Sequence, residues 1–173
     1  MYLKILGCAL VLIGSTLMGF ILGENLKKRF QQLKEIEQAL YQLKSEIIYT
    51  HSTLPEIFEN VSSKSNKPIN KLFKDISELL YENKVENVFQ AFTKALDMNK
   101  NILNLKEADN EILLDLSKSL GQSDIEGQNN IISLTINKLE NQLEGAEEVM
   151  KNNIKMYRYM GFSFGAIVVI MII

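Results

Sequence analysis

Residues 5–22, ILGCALVLIGSTLMGFIL, carry no charged side chain. A helix of this length rises about 27 Å, which is close to the roughly 30 Å thickness of the hydrocarbon core of a bilayer. The stretch therefore predicts a transmembrane helix, to which we assign residues 3–23. A cleaved secretory signal is the alternative, but no alanine-containing cleavage site is present, and a helical pattern begins immediately at Glu24.

A second uncharged stretch, MGFSFGAIVVIMII, occupies residues 160–173. A helix over these residues rises only about 21 Å, which is short for a bilayer. We predict a short C-terminal transmembrane helix at residues 159–173. The long side chains of Lys155 and Arg158 can extend it to the interface, where Tyr157 and Tyr159 also fit. The alternative is a terminal helix that is buried in protein or lies in the interface.

Basic residues lie on the inner side of both apolar stretches. Positive charge is enriched on the cytoplasmic side of transmembrane helices. The charges therefore predict that residues 24–158 form a cytoplasmic domain and that both termini lie on the far side of the membrane. The membrane-flanking basic residues are Lys27, Lys28 and Arg29 after the first stretch, and Lys151, Lys155 and Arg158 before the second.

Small residues recur at four-residue spacing inside both predicted spans. Ser15, Gly19 and Gly23 share one face of the first, and Gly161 and Gly165 share one face of the second. Faces of this kind let membrane helices approach closely, so we predict packing between the spans or with the spans of a partner. Glycine is also common in membrane helices without any packing role.

The residues that carry chemistry are sparse. The chain has one cysteine, Cys8, so an intrachain disulfide and a cysteine metal site are excluded. Its one histidine, His51, has no second histidine or soluble cysteine as a partner, so a structural or surface role is favoured over a catalytic or metal-binding one. There is no phosphate-binding glycine loop. The net charge of −2 gives no reason to expect nucleic-acid binding. We therefore predict a protein that is not an enzyme and has no cofactor and no metal.

Acidic residues cluster between Glu107 and Asp115, with Asp109 and Glu111 between them. Acids near a helix N-terminus complement the helix dipole, so a solvated face is the simpler interpretation. A docking face for a basic partner is the alternative.

The middle segment predicts an all-α fold, a bundle of about six helices between the two transmembrane helices. Apolar residues follow helical spacing throughout, and prolines occur only at Pro55 and Pro68. A helix opens at Leu54 behind a capping box from Thr53 to Glu56. Further helices open near Pro68, near Val85 and before Asp109. Gly121 ends a helix, and a second capping box, Ser123 to Glu126, opens the last one.

The first and last helices of the middle segment each carry an apolar stripe that needs a partner. Both helices continue into a membrane span, so antiparallel pairing of the two is the simplest arrangement. The stripe of the first helix is Leu26, Phe30, Leu33, Leu40, Leu43 and Ile47. The stripe of the last helix is Ile132, Ile136, Leu139, Leu143, Ala146, Met150, Ile154 and Tyr157.

Short motifs along nearly the whole chain resemble the stage III sporulation protein AB family of endospore-forming bacteria. Each motif is short, but their order and spacing, together with the two anchors, are specific. The matching residues are Ile48-Tyr49, Leu54-Pro55-Glu56, Ala91-Phe92, Leu120-Gly121-Gln122-Ser123-Asp124, Gln128 and the run 155–161, KMYRYMG. Phe92 stands where we expect tryptophan and keeps an aromatic residue in the core.

That family is similar, in its soluble part, to the cytoplasmic module of type II secretion F proteins, which are membrane platform subunits. The resemblance implies a platform or adaptor in a channel-like complex of the mother-cell membrane around the forespore. It also implies a cytoplasmic secretion-type ATPase and other proteins of the complex as partners, and it leaves a homo-oligomer open. A membrane-anchored sensor or regulator that signals through the long helices is the second hypothesis, although few residues lie outside the membrane to sense a signal.

Overall fold

The chain is all-α. The computed structural model describes residues 2–50, 52–122 and 124–172, so His51 and Ser123 lie outside the described residues. The helices over these ranges are α1 (Tyr2–Tyr49), α2 (Leu54–Lys64), α3 (Ile69–Tyr81), α4 (Val88–Asn99), α5 (Glu107–Ser119) and α6 (Ile125–Ile172). The predicted fold class is confirmed.

The helices form two compact units. One unit comprises residues 1–30 and 145–173, and the other comprises residues 31–144. Helices α1 and α6 are each 48 residues long and contribute to both units. Each apolar stretch therefore belongs to the same uninterrupted helix as a segment of the unit of residues 31–144.

Polar side chains set where the short helices begin. The backbone N–H of Thr53 donates to Glu56 Oε2 at 2.9 Å, which supplies the main-chain bond of the predicted capping box at the start of α2. Helix α4 begins at Val88, later than the predicted start near Val85. The reason is Asn87, whose Oδ1 accepts the N–H of Gln90 at 2.9 Å and caps the helix at that position.

The junction between α5 and α6 is a tight turn at Gly121. Leu120 has φ −65° and ψ 129°, Gly121 has φ +81°, and the N–H of Gln122 donates to Ser119 O at 3.3 Å. These values match a type II turn, whose third residue requires positive φ and favours glycine. The predicted helix stop at Gly121 is confirmed.

The start of α6 differs from the prediction by one residue. The helix begins at Ile125, and Asp124 Oδ1 accepts the N–H of Gly127 at 2.9 Å. Asp124 is therefore a capping side chain of α6, and the predicted box with Ser123 falls on a residue outside those described. Aspartate and serine cap helices almost equally well, so adjacent candidates cannot be ranked from sequence.

An aromatic cluster joins α2, α3 and α4 in the unit of residues 31–144. The rings of Phe58 and Phe73 stack with centroids 6.2 Å apart, and Phe92 meets Phe58 edge-on at 5.6 Å. All three side chains are fully buried. Pairs of this geometry add about 0.5–1.5 kcal/mol each beyond the burial of their area.

Helices α1 and α6 are antiparallel neighbours in the same unit. Tyr41 Oη donates to Glu140 Oε1 at 3.2 Å, and one turn further along α1 Lys44 Nζ donates to Ser133 Oγ at 2.9 Å. The predicted pairing is confirmed. Most stripe residues of this unit are buried, whereas Leu143 is half-buried. The buried apolar residues that the two helices contribute here are Leu33, Ile36, Ala39, Leu40, Leu43, Ile47, Ile132, Ile136 and Leu139.

A buried amide fastens the connection between α4 and α5 to α1. Gln32 is 6% exposed; its Nε2 donates to Ile102 O at 3.3 Å, and its Oε1 accepts the N–H of Asn104 at 2.7 Å. Both main-chain groups lie in a connection that has no helix of its own. The side chain therefore supplies hydrogen bonds that secondary structure cannot.

Candidate functional site

The apolar ends of α1 and α6 are the first candidate site. Two segments, Gly7–Tyr49 and Ile125–Met171, are long and apolar enough to cross a membrane by length and composition. Large apolar side chains on both ends are exposed, among them Leu10, Met18, Phe164 and Ile170. A helix in the core of a soluble protein would bury such residues. These exposed ends indicate membrane association.

Glycines bring the two apolar ends into backbone contact. A Cβ added to Gly19 would lie 2.6 Å from Tyr157 O and 3.1 Å from Gly161 Cα. A Cβ added to Gly161 would lie 2.7 Å from Ser15 O. Any larger residue at either position would therefore force the helices apart.

The other small residues predicted for membrane packing lie along the same contact. A Cβ added to Gly165 would collide with the Ser15 side chain, whereas one added to Gly23 would make an ordinary 3.7 Å contact with Ile154 O. Ser15 meets Gly165 and Gly19 meets Gly161, so α1 and α6 are also antiparallel in this unit. The hydroxyl of Ser15 is satisfied within its helix, since Ser15 Oγ donates to Leu12 O at 3.1 Å.

The predicted membrane-flanking basic residues occupy different environments. Lys27, Lys28, Lys151, Lys155 and Arg158 are exposed. Lys151 Nζ lies 2.7 Å from Glu147 Oε1, and the guanidinium of Arg158 lies over the ring of Phe20 at 4.9 Å from its centroid. Arg29 differs from the rest because it is 8% exposed.

The short motifs around residues 54 and 121 meet at one end of the unit of residues 31–144. A Cβ added to Gly121 would lie 3.0 Å from Leu54 Cδ1. Both residues line an open groove of about 560 Å³ beside the start of α4 and the end of α5. The lining residues are Leu54, Asn87, Val88, Phe89, Ser117, Lys118, Leu120, Gly121 and Gln122.

The remaining motif residues support local structure around this groove. Pro55 O accepts the hydroxyl of Ser77 at 2.8 Å, and Glu56 and Asp124 accept main-chain N–H groups at the starts of α2 and α6. Gln128 is half-buried in the first turn of α6. The described motif residues therefore shape the surface around this groove.

The groove has one charged pair at its rim. Lys118 Nζ lies 5.6 Å from the centroid of the Phe89 ring and 3.0 Å from Asp115 Oδ1. The hydrogen bond and the charge of Lys118 lower the pKa of Asp115 below its usual range. Asp115 is thus held ionised beside its lysine.

The predicted acidic patch is divided by the structure. Asp109 is buried, and its Oδ2 accepts the N–H of Lys106 at 2.8 Å at the start of α5. Glu107, Glu111 and Asp115 remain exposed. Over the described residues, no three histidine, cysteine, aspartate or glutamate side chains are placed to hold a metal ion.

Comparison with known proteins decides the family. The family described as Stage III sporulation protein AB matches residues 4–173. The chain belongs to this family. It is 26% identical over 170 residues to stage III sporulation protein AB of Bacillus subtilis (strain 168), covering 98% of this chain and 99% of the relative. The resemblance drawn from the short motifs is confirmed.

A solved structure is similar as well. The chain titled Stage III sporulation protein AB (SpoIIIAB) matches with a TM-score of 0.66 and 26% identity, over 72% of this chain and 97% of that chain. Membership of the stage III sporulation protein AB family implies a role in stage III of sporulation and places the chain among the proteins of a sporulation complex.

Two features of the candidate sites are not apparent from the sequence. The ring of Phe20 contacts the guanidinium of Arg158. Nothing in an apolar stretch of sequence distinguishes a ring that contacts a cation from one that faces lipid. Asn87 and Phe89 join the groove although they belong to no quoted motif. The signal that could have located Asn87 is its position one residue before an apolar helical pattern, which is typical of a cap.

Proposed function

We propose that this chain is a non-enzymatic membrane platform of a sporulation-specific, secretion-like channel complex, required for forespore development, and that its helical domain docks a cytoplasmic secretion-type ATPase. The observation that carries the proposal is the shared use of α1 and α6. Each helix runs without a break from an exposed apolar end into the core of the unit of residues 31–144. An adaptor needs this continuity, because a partner bound to the domain then acts on the same helices that lie in the membrane.

In this proposal residues 3–23 and 159–173 cross the mother-cell membrane around the forespore, and residues 24–158 face the cytoplasm. The exposed apolar ends and the backbone contact between Gly19 and Gly161 support two neighbouring spans. The basic residues on the inner side of each span support the orientation. The family match supports the sporulation complex. The ATPase rests on the resemblance of the family's soluble part to type II secretion F proteins, as described for the sequence.

Reporter fusions test the orientation. Fusions at either terminus are expected to report the far side of the membrane, and an insertion in the connection between α2 and α3, at residues 65–67, is expected to report the cytoplasm. An insertion in that connection that is active only outside the cytoplasm would overturn the orientation and ATPase docking together.

Co-purification tests the docking. The tagged full-length chain is co-expressed with the ATPase and the membrane proteins of its operon and is recovered in detergent. A Leu139→Asp variant is the matched control, because Leu139 is fully buried and an aspartate there would disrupt the unit of residues 31–144 without touching the apolar ends. We expect the ATPase with the native chain and not with the variant. Equal recovery with both, or no recovery with either, would exclude docking on this domain.

A further inference from the structure

We propose that one side of the α1–α6 pair, in the unit of residues 1–30 and 145–173, binds the headgroups of anionic phospholipids. The binding groups are Lys27, Lys151, Lys155 and Arg158. The inference rests on the proposed membrane placement and adds to it a preference for lipid charge and a location for the bound headgroup.

The contact between Arg158 and Phe20 shows that these basic groups share a side. Lys27 follows Phe20 by seven residues, which is two helical turns, so both project from the same side of α1. On α6, Lys151 and Lys155 precede Arg158 by seven and three residues, so the three also share a side. Since the Arg158 guanidinium lies 4.9 Å from the centroid of the Phe20 ring, the two sides adjoin at this contact.

The local charge is opposite in sign to that of the whole chain. Residues 24–30 and 145–158 contain six basic and three acidic side chains, while the chain as a whole has a net charge of −2. The three acids are Glu24, Glu147 and Glu148; each lies three or four residues before Lys27 or Lys151 and so shares a side with that lysine. Among them, Glu147 pairs with Lys151 at 2.7 Å. Basic side chains therefore outnumber acidic ones by three in the helix segments next to the apolar ends.

These basic groups are available to a ligand. Lys27 and Lys155 are exposed, and over the described part of the chain no carboxylate forms an ion pair with either of them. A guanidinium that stacks on a ring keeps N–H groups at its edge, which suit the oxygens of a phosphate. Arg158 can therefore hold a phosphate while Phe20 holds its guanidinium.

The groups also lie within, or a few ångströms beyond, the layer of lipid headgroups. Lys27 is about 10 Å along the helix from Phe20, and Lys151 is about 10 Å from Arg158, at the usual rise per residue. The polar layer on each side of the hydrocarbon core is about 5–8 Å thick, and attraction to an anionic surface extends for a Debye length of about 8–10 Å. Lysines at this depth bind anionic lipid in preference to zwitterionic lipid. Because Phe20 and the apolar side chains continue from the basic groups into the bilayer, a lipid fits this side better than an acidic protein segment does.

Native mass spectrometry of the full-length chain in a neutral detergent tests the proposal. The chain is titrated with phosphatidylglycerol or with phosphatidylcholine, and bound lipids are counted. We expect at least tenfold tighter binding of phosphatidylglycerol. A triple variant, K27Q, K151Q and K155Q, is expected to lose most of that preference, since each removed charge is worth about fivefold.

A second triple variant, K71Q, K74Q and K138Q, is the matched control, because it removes the same charge from exposed positions in the unit of residues 31–144. It is expected to keep the preference. Equal affinity for the two lipids, equal loss in both triple variants, or displacement of the lipid by millimolar inorganic phosphate would each overturn the proposal. The conservative variant K27R, K151R and K155R should restore binding, which separates lost charge from lost folding.

Carbonate extraction of membranes distinguishes failure of the headgroup site from failure of the proposed function. A native chain that stays in the membrane but shows no lipid preference refutes only the headgroup site. A native chain that is released by carbonate refutes the membrane spans, and with them the headgroup site. Binding of an acidic protein in place of lipid would also count against the proposal.

Discussion

Replacing Gly121 with alanine tests the turn between α5 and α6 most directly. Gly121 has φ +81°, a conformation that costs an L-residue about 1–2 kcal/mol. The new Cβ would also lie 3.0 Å from Leu54 Cδ1, which is tight, but the half-buried Leu54 side chain can move slightly. We therefore expect Gly121→Ala to lower the free energy of unfolding by about 1–2 kcal/mol, most of it from the backbone.

Urea titration of a fragment of residues 24–158, followed by far-UV circular dichroism, measures this change. With a slope of about 2 kcal/mol per molar urea, the middle of the usual range, the midpoint should fall by about 0.5–1 M. Two variants serve as controls. Gly121→Asn adds the same Cβ but tolerates positive φ, so it should lose less stability than alanine. Gly145→Ala lies inside α6 with no atom within 4 Å of the new Cβ, so it should raise the midpoint or leave it unchanged.

The outcome that refutes this reasoning is an alanine variant that unfolds like the native fragment. In that case the turn would not depend on glycine. Equal losses for alanine and asparagine at position 121 would instead assign the effect to the contact with Leu54.

Three further predictions concern other parts of the chain. Gln32→Leu removes two main-chain hydrogen bonds from a buried site and should lower the unfolding free energy of the same fragment by about 1–3 kcal/mol, measured in urea; no change would mean that water replaces the amide. Gly161→Leu should lower the melting temperature of the full-length chain in detergent, whereas Gly14→Leu, where no atom lies within 4 Å of an added Cβ, should not; equal effects would refute the backbone contact. Burial and the charge of Glu140 raise the pKa of Glu37, so the folded state favours the protonated carboxyl group. The free energy of unfolding therefore falls as the pH rises from the ordinary glutamate pKa of about 4.3 through the raised pKa of Glu37. Glu37→Gln should therefore stabilise the fragment by a few tenths of a kcal/mol at about pH 7.5 and not at about pH 4, with screening by solvent keeping the gain small; a gain of equal size at both pH values would exclude the charge as its cause.

Apolar spacing predicted the helices and their pairing because burial controls both. Leu33, Leu40 and Leu139 were placed correctly, since a residue that must leave water recurs once per turn. The same pattern overlooked Ile36 and Ala39, which are buried on the same helix because the buried face of α1 is wider than a single stripe.

Polar structure was predicted less well, since it depends on partners that are distant in sequence. Nothing near Gln32 indicates that its amide will meet main-chain groups about 70 residues away. Asp109 appeared to belong to an exposed acidic patch, but it is buried, and its carboxylate accepts the main-chain N–H of Lys106 at the start of α5. Helix starts shifted by one to three residues at Asn87 and Asp124, because several adjacent polar residues can cap equally well.

The aromatic cluster has a practical consequence for spectroscopy. The chain contains no tryptophan, so its intrinsic fluorescence comes from tyrosine alone. Phe92 lies edge-on to Phe58 in the buried cluster, and an indole at this position would be the sole strong fluorophore of the protein. The emission maximum of Phe92→Trp would then report the entry of solvent into the unit of residues 31–144. This signal does not depend on the helical segments that remain in detergent or lipid.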